Sequence, residues 1–247
     1  MSDPQNIYDN PEFFAGYEQL RQTGTGLNEV LEQPAFWSLL PDSFEGLRIL
    51  DLGCGFGNFA RRARQLGARF VIGVDVSAKM LARAAEQTQG AGIEYHRASI
   101  ERFDWKGEPF DIAVSSLALH YVEDYEAAVA RLADLLVKGG RFVFSVEHPI
   151  CTAIARQQWV RDADGRALYW PVDDYRMEGE RKTKWFVDGV VKYHRTIETY
   201  VNGLIRHGFT LRCLMEPEPV GGASSKLIPE LDLHRRRPAF LVLASDR

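Results

Sequence analysis

Short apolar runs alternate with amphipathic segments along the chain as far as Pro149. Five runs of strand length predict β-strands over residues 47–52, 69–74, 93–97, 110–115 and 141–146. Between them, apolar residues recur at helical spacing and predict helices over 58–66, after the capping residue Ser77, and over 125–137, where Lys138-Gly139-Gly140 stops the helix. This alternation is typical of a doubly wound α/β fold, a parallel sheet with helices on both faces.

The pattern changes after Pro149, where the chain becomes rich in aromatic residues. Asp-Gly pairs at 164–165 and 188–189 predict two β-hairpins in this segment. Helical and strand patterns then return, and they predict a helix over 196–207 and strands over 209–215 and 239–244, the strands joined by a loop rich in proline and glycine. A length of 247 residues with 45% apolar composition suits one such domain.

A glycine-rich turn follows the first predicted strand, in the sequence Asp51-Leu52-Gly53-Cys54-Gly55-Phe56-Gly57-Asn58. A strand that leads through such a turn into a helix is typical of a nucleotide site, because the backbone can approach the ligand closely. Asn58 stands where a dinucleotide fingerprint needs its third glycine, and Asp51 would repel a pyrophosphate. A nicotinamide oxidoreductase is therefore disfavoured, and a cationic ligand is favoured over a turn that binds nothing.

The spacing D-x-G-x-G-x-G after a strand resembles the first motif of class I S-adenosylmethionine-dependent methyltransferases. The resemblance covers roughly 47–145 and the terminal strand pair, and is closest to the ubiquinone and menaquinone methyltransferase group. It implies S-adenosylmethionine as cofactor and a seven-stranded, mostly parallel sheet with an antiparallel last strand. It also implies that 149–193 is an inserted substrate lid, while 1–46 is expected to form an N-terminal helical cap.

Cofactor residues are expected along the edge where the strands end. Asp75, at the end of the second strand, is placed to accept hydrogen bonds from both ribose hydroxyls. The resemblance adds turn residues Asp51, Gly53, Cys54 and Gly55, adenine-side residues Val76, Met80, Ser99 and Ile100, and methionine-side residues Ser115, Ser116, Tyr17 and Arg21. An ordinary packing role is the alternative for Met80 and for the segment around Tyr17, and Ser99 stands near where the family usually has an acid.

Three histidines follow strand or lid segments near this edge and are candidate general bases: His148, His194 and His120. The first two rank slightly ahead of His120, whose stretch occurs in family members with many substrates. Each has a structural alternative, as a support of a loop or a partner of a backbone carbonyl. No metal is expected, because serines stand where metal-dependent catechol methyltransferases have paired acids.

The amino-acid composition limits the kinds of partner that the protein is expected to bind. The formal net charge is −4, and the one basic cluster, Arg235-Arg236-Arg237, is interpreted as solvated charge before the last strand, so nucleic-acid binding is not expected. Three cysteines without paired spacing predict neither a disulfide nor a zinc site, and no segment resembles a signal peptide or membrane span, so a cytoplasmic protein is expected.

The expected function is methyl transfer to an oxygen, nitrogen or carbon atom of a small organic acceptor. Lid aromatics favour a planar or apolar acceptor, or else a homodimer contact. A non-catalytic cofactor-binding or protein-interaction module is the main alternative, and a tRNA or protein methyltransferase is a weaker one.

Overall fold

The computed structural model describes residues 5–23, 26–219 and 231–247. The strands are β1 (Arg48–Leu52), β2 (Phe70–Asp75), β3 (Ile93–Arg97), β4 (Phe110–Ser116), β5 (Leu136–Glu147), β6 (Val160–Arg161), β7 (Ala167–Tyr169), β8 (Gly179–Trp185), β9 (Val187–His194), β10 (Thr210–Met215) and β11 (Phe240–Asp246). The α-helices are α1 (Pro11–Thr23), α2 (Gln33–Ser38), α3 (Asn58–Gln65), α4 (Ala78–Gln87), α5 (Tyr125–Leu135), α6 (Pro149–Thr152) and α7 (Ile197–Arg206).

Seven of these strands form one sheet in the order β10-β11-β5-β4-β1-β2-β3. Neighbouring strands from β5 to β3 pair in parallel, whereas β11 is antiparallel to both β5 and β10. The predicted fold class, a mostly parallel sheet with an antiparallel last strand, is confirmed. Two separate hairpins, β6–β7 and β8–β9, lie in the inserted segment.

Both faces of the sheet are covered, which explains why its central strands are almost continuously apolar. On one face, Leu50 and Phe144 pack in a core with side chains of α5 and α7. On the other face, Ile49 and Val143 pack with Phe36 of α2 and with alanines of α3. This packing fixes where the strands end, and therefore where the loops beyond them converge.

Two local predictions are wrong in detail. Helix α5 ends at Leu135 and β5 begins at Leu136, so the Lys138-Gly139-Gly140 sequence lies within the strand instead of stopping the helix. The second hairpin turns at Phe186, which adopts φ +59°, and Gly189, with φ +80°, lies inside β9. The other Asp-Gly pair does connect paired strands as expected, at Gly165 between β6 and β7.

Residues 220–230 of the predicted loop rich in proline and glycine lie outside the described residues. Across the described ranges, no helix is long and apolar enough to cross a membrane.

Candidate active site

A cavity of about 540 Å³ opens at the carboxyl ends of the parallel strands, the edge at which open α/β sheets bind ligands. Most of the predicted site residues line it: Tyr17, Arg21, Gly53, Gly55, Asp75, Val76, Met80, Ser99, Ile100, Ser116 and His120. The remaining predicted residues do not line it: Asp51, Cys54, Ser115, His148 and His194. The structure therefore brings most, but not all, of the predicted site residues to this cavity.

The glycine turn runs directly beneath the cavity. The amide of Gly53 donates to the Val74 carbonyl at 2.8 Å, which ties the turn to β2. Gly53 has φ +77°, and a Cβ there would clash with the Cβ of Ala118. Gly55 has φ +53° and open space where a Cβ would stand. The turn thus presents bare backbone to the cavity, as a closely bound cofactor requires.

Asp75 is held in one orientation by two backbone amides. Its Oδ2 accepts from the amide of Gly55 and its Oδ1 from the amide of Ser77, both at 2.9 Å. Burial nevertheless outweighs these bonds and raises the pKa of Asp75. Each carboxylate oxygen keeps a second lone pair, so the side chain can accept two further hydrogen bonds from a ligand.

Asp51 lies on β1 behind the turn and is 3% exposed. Its Oδ2 has no hydrogen-bond partner among the described residues. Burial, with a smaller contribution from the charge of Asp75, raises the pKa of Asp51 to about 8. The carboxyl group is therefore mostly protonated at pH 7, and a cation bound nearby would favour its ionised form.

Asp51→Asn is expected to remove part of the pH dependence of stability. The pKa of Asp51 rises from 3.8 to about 8 on folding, so the folded protein binds the proton more tightly than the unfolded chain. Wild-type stability should therefore fall as the pH rises toward 8, by up to about 1.4 kcal/mol per pH unit relative to the variant. Thermal unfolding of both proteins at several pH values between about 5 and 9 measures this; parallel curves would contradict the assignment.

The N-terminal segment is anchored beside Asp75. Oδ1 of Asp9 accepts hydrogen bonds from the Ser77 hydroxyl at 2.6 Å and the Lys79 amide at 3.1 Å, at the start of α4. The hydroxyl of Ser77 in turn accepts from the amide of Met80, so the predicted cap of this helix is present. These bonds hold the N-terminal segment next to the second strand, where it forms one wall of the cavity.

Part of this wall is formed by Tyr8 together with Tyr17 and Arg21 of α1. The Tyr8 ring packs edge-on against Tyr17, with 5.2 Å between the ring centroids. Arg21 donates from Nε to the Tyr17 hydroxyl at 2.9 Å and pairs through Nη1 with Glu29 at 2.8 Å. The predicted side chains of this segment therefore face the cavity.

Val76, Met80, Ser99 and Ile100 line the wall between β2 and β3. The buried Ser99 Oγ has no hydrogen-bond partner among the described residues, and the same holds for Nδ2 of Asn28, which also lines the cavity. Buried polar groups without partners are uncommon in folded proteins. Two of them beside an apolar wall and an open glycine turn fit a ligand with both polar and aromatic parts.

Ser115 and Cys54, which do not line the cavity, have local contacts instead. Ser115 Oγ donates to the Leu52 carbonyl at 2.9 Å, which joins β4 to β1. Cys54 is buried beside β2, where its Sγ would lie 2.9 Å from a Cβ at Gly73. Ser116, which does line the cavity, donates to Oε1 of the buried Glu32 at 2.8 Å.

His148 and His194 are both fully buried and hydrogen-bonded. Nδ1 of His148 accepts from the Ile150 amide at 3.1 Å, and its Nε2 lies 2.8 Å from Glu216. Nε2 of His194 lies 2.9 Å from the Tyr175 carbonyl, so this nitrogen carries the proton and Nδ1 accepts from a threonine hydroxyl. Burial lowers the pKa of both rings. Neither offers a free acceptor nitrogen to the cavity.

His120 lines the cavity and is 2% exposed. Its Nδ1 accepts from the amide of Glu147 at 3.4 Å, which leaves the proton of the neutral ring on Nε2. Burial lowers the pKa of His120 to about 4, so the ring stays neutral at physiological pH. In this tautomer Nε2 is a hydrogen-bond donor, and Nδ1, the nitrogen that could take up a proton, is occupied by the Glu147 amide.

Several cavity residues were not predicted as site residues. Glu147 ends β5 and pairs with Lys192 of β9 at 2.5 Å, while Gln157 donates to its second oxygen at 3.1 Å. Trp170 and Trp185 bring the inserted segment to the cavity wall. The abundance of aromatic residues in the inserted segment could have indicated that its tryptophans belong to the site. No sequence motif or spacing indicates that Lys192 pairs with Glu147.

Arg237 corrects the interpretation of the basic cluster as solvated charge. Its neighbours Arg235 and Arg236 are exposed, whereas Arg237 is partly buried and lines the cavity. Within the described ranges, no cluster of acidic, histidine or cysteine side chains could hold a metal ion.

Comparison with known proteins agrees with this geometry. The family described as "Methyltransferase domain" matches residues 50–144. A solved structure of an S-adenosylmethionine-dependent methyltransferase from Mesorhizobium loti is 47% identical, covers 87% of this chain and 97% of its own, and superimposes with a TM-score of 0.80. An uncharacterized protein from Haemophilus influenzae is 35% identical over 224 residues, 88% of each chain.

A ubiquinone biosynthesis O-methyltransferase from Chelativorans is 37% identical over 99 residues, which is 39% of each chain. The high coverage of the Mesorhizobium protein, together with the glycine turn and Asp75, decides the class. The chain belongs to the class I S-adenosylmethionine-dependent methyltransferases. It is an enzyme, and its cofactor is S-adenosylmethionine.

Proposed function

We propose that this methyltransferase acts on a small organic molecule and methylates an oxygen, nitrogen or carbon nucleophile. The observation that carries the proposal is that one cavity is lined both by Gly53 and Asp75 and by Trp170 and Trp185. Its volume of about 540 Å³ lies within the range of small-molecule sites, which is roughly 300–1,000 Å³. A cavity of this size suits a cofactor and a compact acceptor better than a macromolecular surface.

S-adenosylmethionine supplies an activated methyl group, so the chain has mainly to bind, orient and exclude water. Asp75 is proposed to bind the ribose, and Arg21 with Tyr17 to meet the cofactor carboxylate. Asp51, which lies behind the turn, is proposed to stabilise the positive charges of the bound cofactor. Val76, Met80, Ser99 and Ile100 are proposed to surround the adenine.

His120 replaces His148 and His194 as the preferred acceptor-side histidine, because of the three it alone lines the cavity. Its proposed role is to orient the acceptor by donating from Nε2, not to remove a proton. Glu147 is a poor base as well, because burial raises its pKa but Lys192, His120 and Gln157 together outweigh burial and lower it. Methyl transfer is therefore proposed to rest on alignment, with any proton leaving to water.

Turnover of a panel of small phenols, carboxylic acids, amines and thiols tests the proposal, with formation of S-adenosylhomocysteine as the readout. We expect at least one class to react, and bulk tRNA and unfolded protein to remain unmethylated. Cofactor binding without turnover of any small acceptor would instead favour the non-catalytic alternative. Methylation of only the macromolecules would contradict the small-molecule assignment.

A further inference from the structure

Arg237 brings a cation to the wall of the cavity formed by Cys151 and Trp170. Its guanidinium carbon lies 3.9 Å from the centroid of the Trp170 ring, so the cation stacks on the indole. Nη1 donates to Sγ of Cys151 at 2.8 Å and to the carbonyl of Pro238 at 3.1 Å. These contacts fix the plane of the guanidinium group.

No carboxylate forms an ion pair with Arg237 among the described residues, and its buried Nε has no hydrogen-bond partner there. The Cys151 thiol does not compensate for the charge, because burial raises its pKa to about 12 and keeps it neutral. Burial also lowers the pKa of Arg237 itself. The cation has thus lost part of its hydration without gaining an ion pair within the described part of the chain, and only the charge of Glu147, beyond ion-pair distance, favours it.

The other charged groups near this wall are already paired. Glu147 is held by Lys192 at 2.5 Å, and His148 is bonded to Glu216 at 2.8 Å. Arg21 lies in a different part of the cavity wall and pairs with Glu29 at 2.8 Å. A ligand anion beside Arg237 would therefore meet a cation that forms no ion pair with a protein carboxylate in the described ranges, since Glu147 acts on it only beyond ion-pair distance.

A guanidinium group presents five donors in a planar fork that matches a carboxylate or a phosphate, and Arg237 uses one nitrogen for its two protein bonds. Trp170 holds that fork in a fixed plane and also offers apolar surface at the same wall. This combination favours a ligand with an anionic group on an aromatic or apolar body.

We propose that Arg237 binds a carboxylate or phosphate group of the methyl acceptor, so that the acceptor is an organic anion. The inference rests on the proposed function and names its substrate class. Arg237 anchors the acceptor at a group separate from the cofactor contacts of Asp75 and Arg21. Its loss should weaken acceptor binding and leave cofactor binding intact.

Calorimetric titration of the protein saturated with S-adenosylhomocysteine tests this, with benzoate, phenyl phosphate and benzamide as probes. We expect one or both anions to bind about 10- to 100-fold more tightly than neutral benzamide, as a charge-assisted bond implies. The comparison of benzoate with phenyl phosphate distinguishes a carboxylate from a phosphate. These titrations require only the wild-type protein.

Arg237→Met and Arg237→Gln should each weaken binding of the preferred anion at least about tenfold, while S-adenosylhomocysteine affinity stays within about twofold. Arg236→Met is the matched control, since Arg236 is exposed and bonds to the carbonyls of Ala167 and Leu168 outside the cavity lining. It should bind the anion as the wild type does.

Equal affinity for benzoate, phenyl phosphate and benzamide would overturn the inference, as would unchanged anion binding in the Arg237 variants. Absence of anion binding up to about 20 mM would do the same. If the wild type did not bind S-adenosylhomocysteine, the proposed function would fail as well. Normal binding of S-adenosylhomocysteine with no preference for anions would remove this inference alone.

Discussion

Lys192→Met is expected to lower the free energy of unfolding by about 3 kcal/mol, which corresponds to a fall in Tm of roughly 6–12 °C. Lys192 is 3% exposed and its Nζ lies 2.5 Å from Oε1 of Glu147, so the pair joins the β8–β9 hairpin to the end of β5. Removal of the cation leaves the carboxylate without its counter-charge. Because the Glu147 side chain is 24% exposed, the loss should lie at the lower end for buried pairs.

The double variant Lys192→Met/Glu147→Gln provides the control. It removes both charges and should recover most of the stability that the single variant loses. In the single variant, burial without the lysine raises the pKa of Glu147 above its unfolded value. The folded state then binds the proton more tightly, so the defect should shrink as the pH falls from about 8 to 5.

Chemical denaturation of the wild type and the variants measures both effects. A loss below about 1 kcal/mol would show that the pair contributes little. A double variant no more stable than Lys192→Met would show that the defect comes from lost packing, for example against the Trp185 ring 5.5 Å away.

The central strands of the sheet were predictable because they are buried on both faces, and such strands read as continuous apolar runs. The strand before the glycine turn differs from β1 by one residue, and the prediction over 93–97 coincides with the edge strand β3, although β3 is only partly buried. The position of Asp75 at the cavity also followed from the sequence, because the end of the second strand of a parallel sheet must adjoin the turn after the first. Both results follow from the order and direction of the strands, which the local pattern of apolar and polar residues predicts.

Contacts between distant segments were not predictable. Lys192 lies in a hairpin strand, and nothing in the local sequence shows that it becomes buried when the hairpin packs on Glu147. Arg237 follows two exposed arginines in the sequence. It is partly buried, unlike them, because the chain turns there toward β11. The histidines show a related limit: the sequence placed them near the right edge of the sheet, but local hydrogen bonds decide which ring faces the cavity.

Asp75→Ala is expected to weaken binding of S-adenosylhomocysteine by roughly 10²- to 10⁴-fold. The proposed role of Asp75 is to accept both ribose hydroxyls, and each hydrogen bond to a charged group contributes about 1.5–3 kcal/mol. The substitution also leaves the amides of Gly55 and Ser77 without the acceptor that fixes the turn. Asp75→Asn keeps the shape and one acceptor oxygen, so it should fall between the alanine variant and the wild type.

Calorimetry with two ligands separates the ribose contact from a general loss of the site. 5′-Methylthioadenosine keeps the ribose and lacks the amino-acid part, so Asp75→Ala should weaken it by about the same factor as S-adenosylhomocysteine. Arg21→Met should weaken only the latter, because its proposed partner is the carboxylate. Asp104→Ala, which removes an exposed acid outside the cavity lining, is the matched control. Binding to Asp75→Ala within about threefold of the wild type would rule out the ribose assignment, since one charge-assisted bond already exceeds that factor.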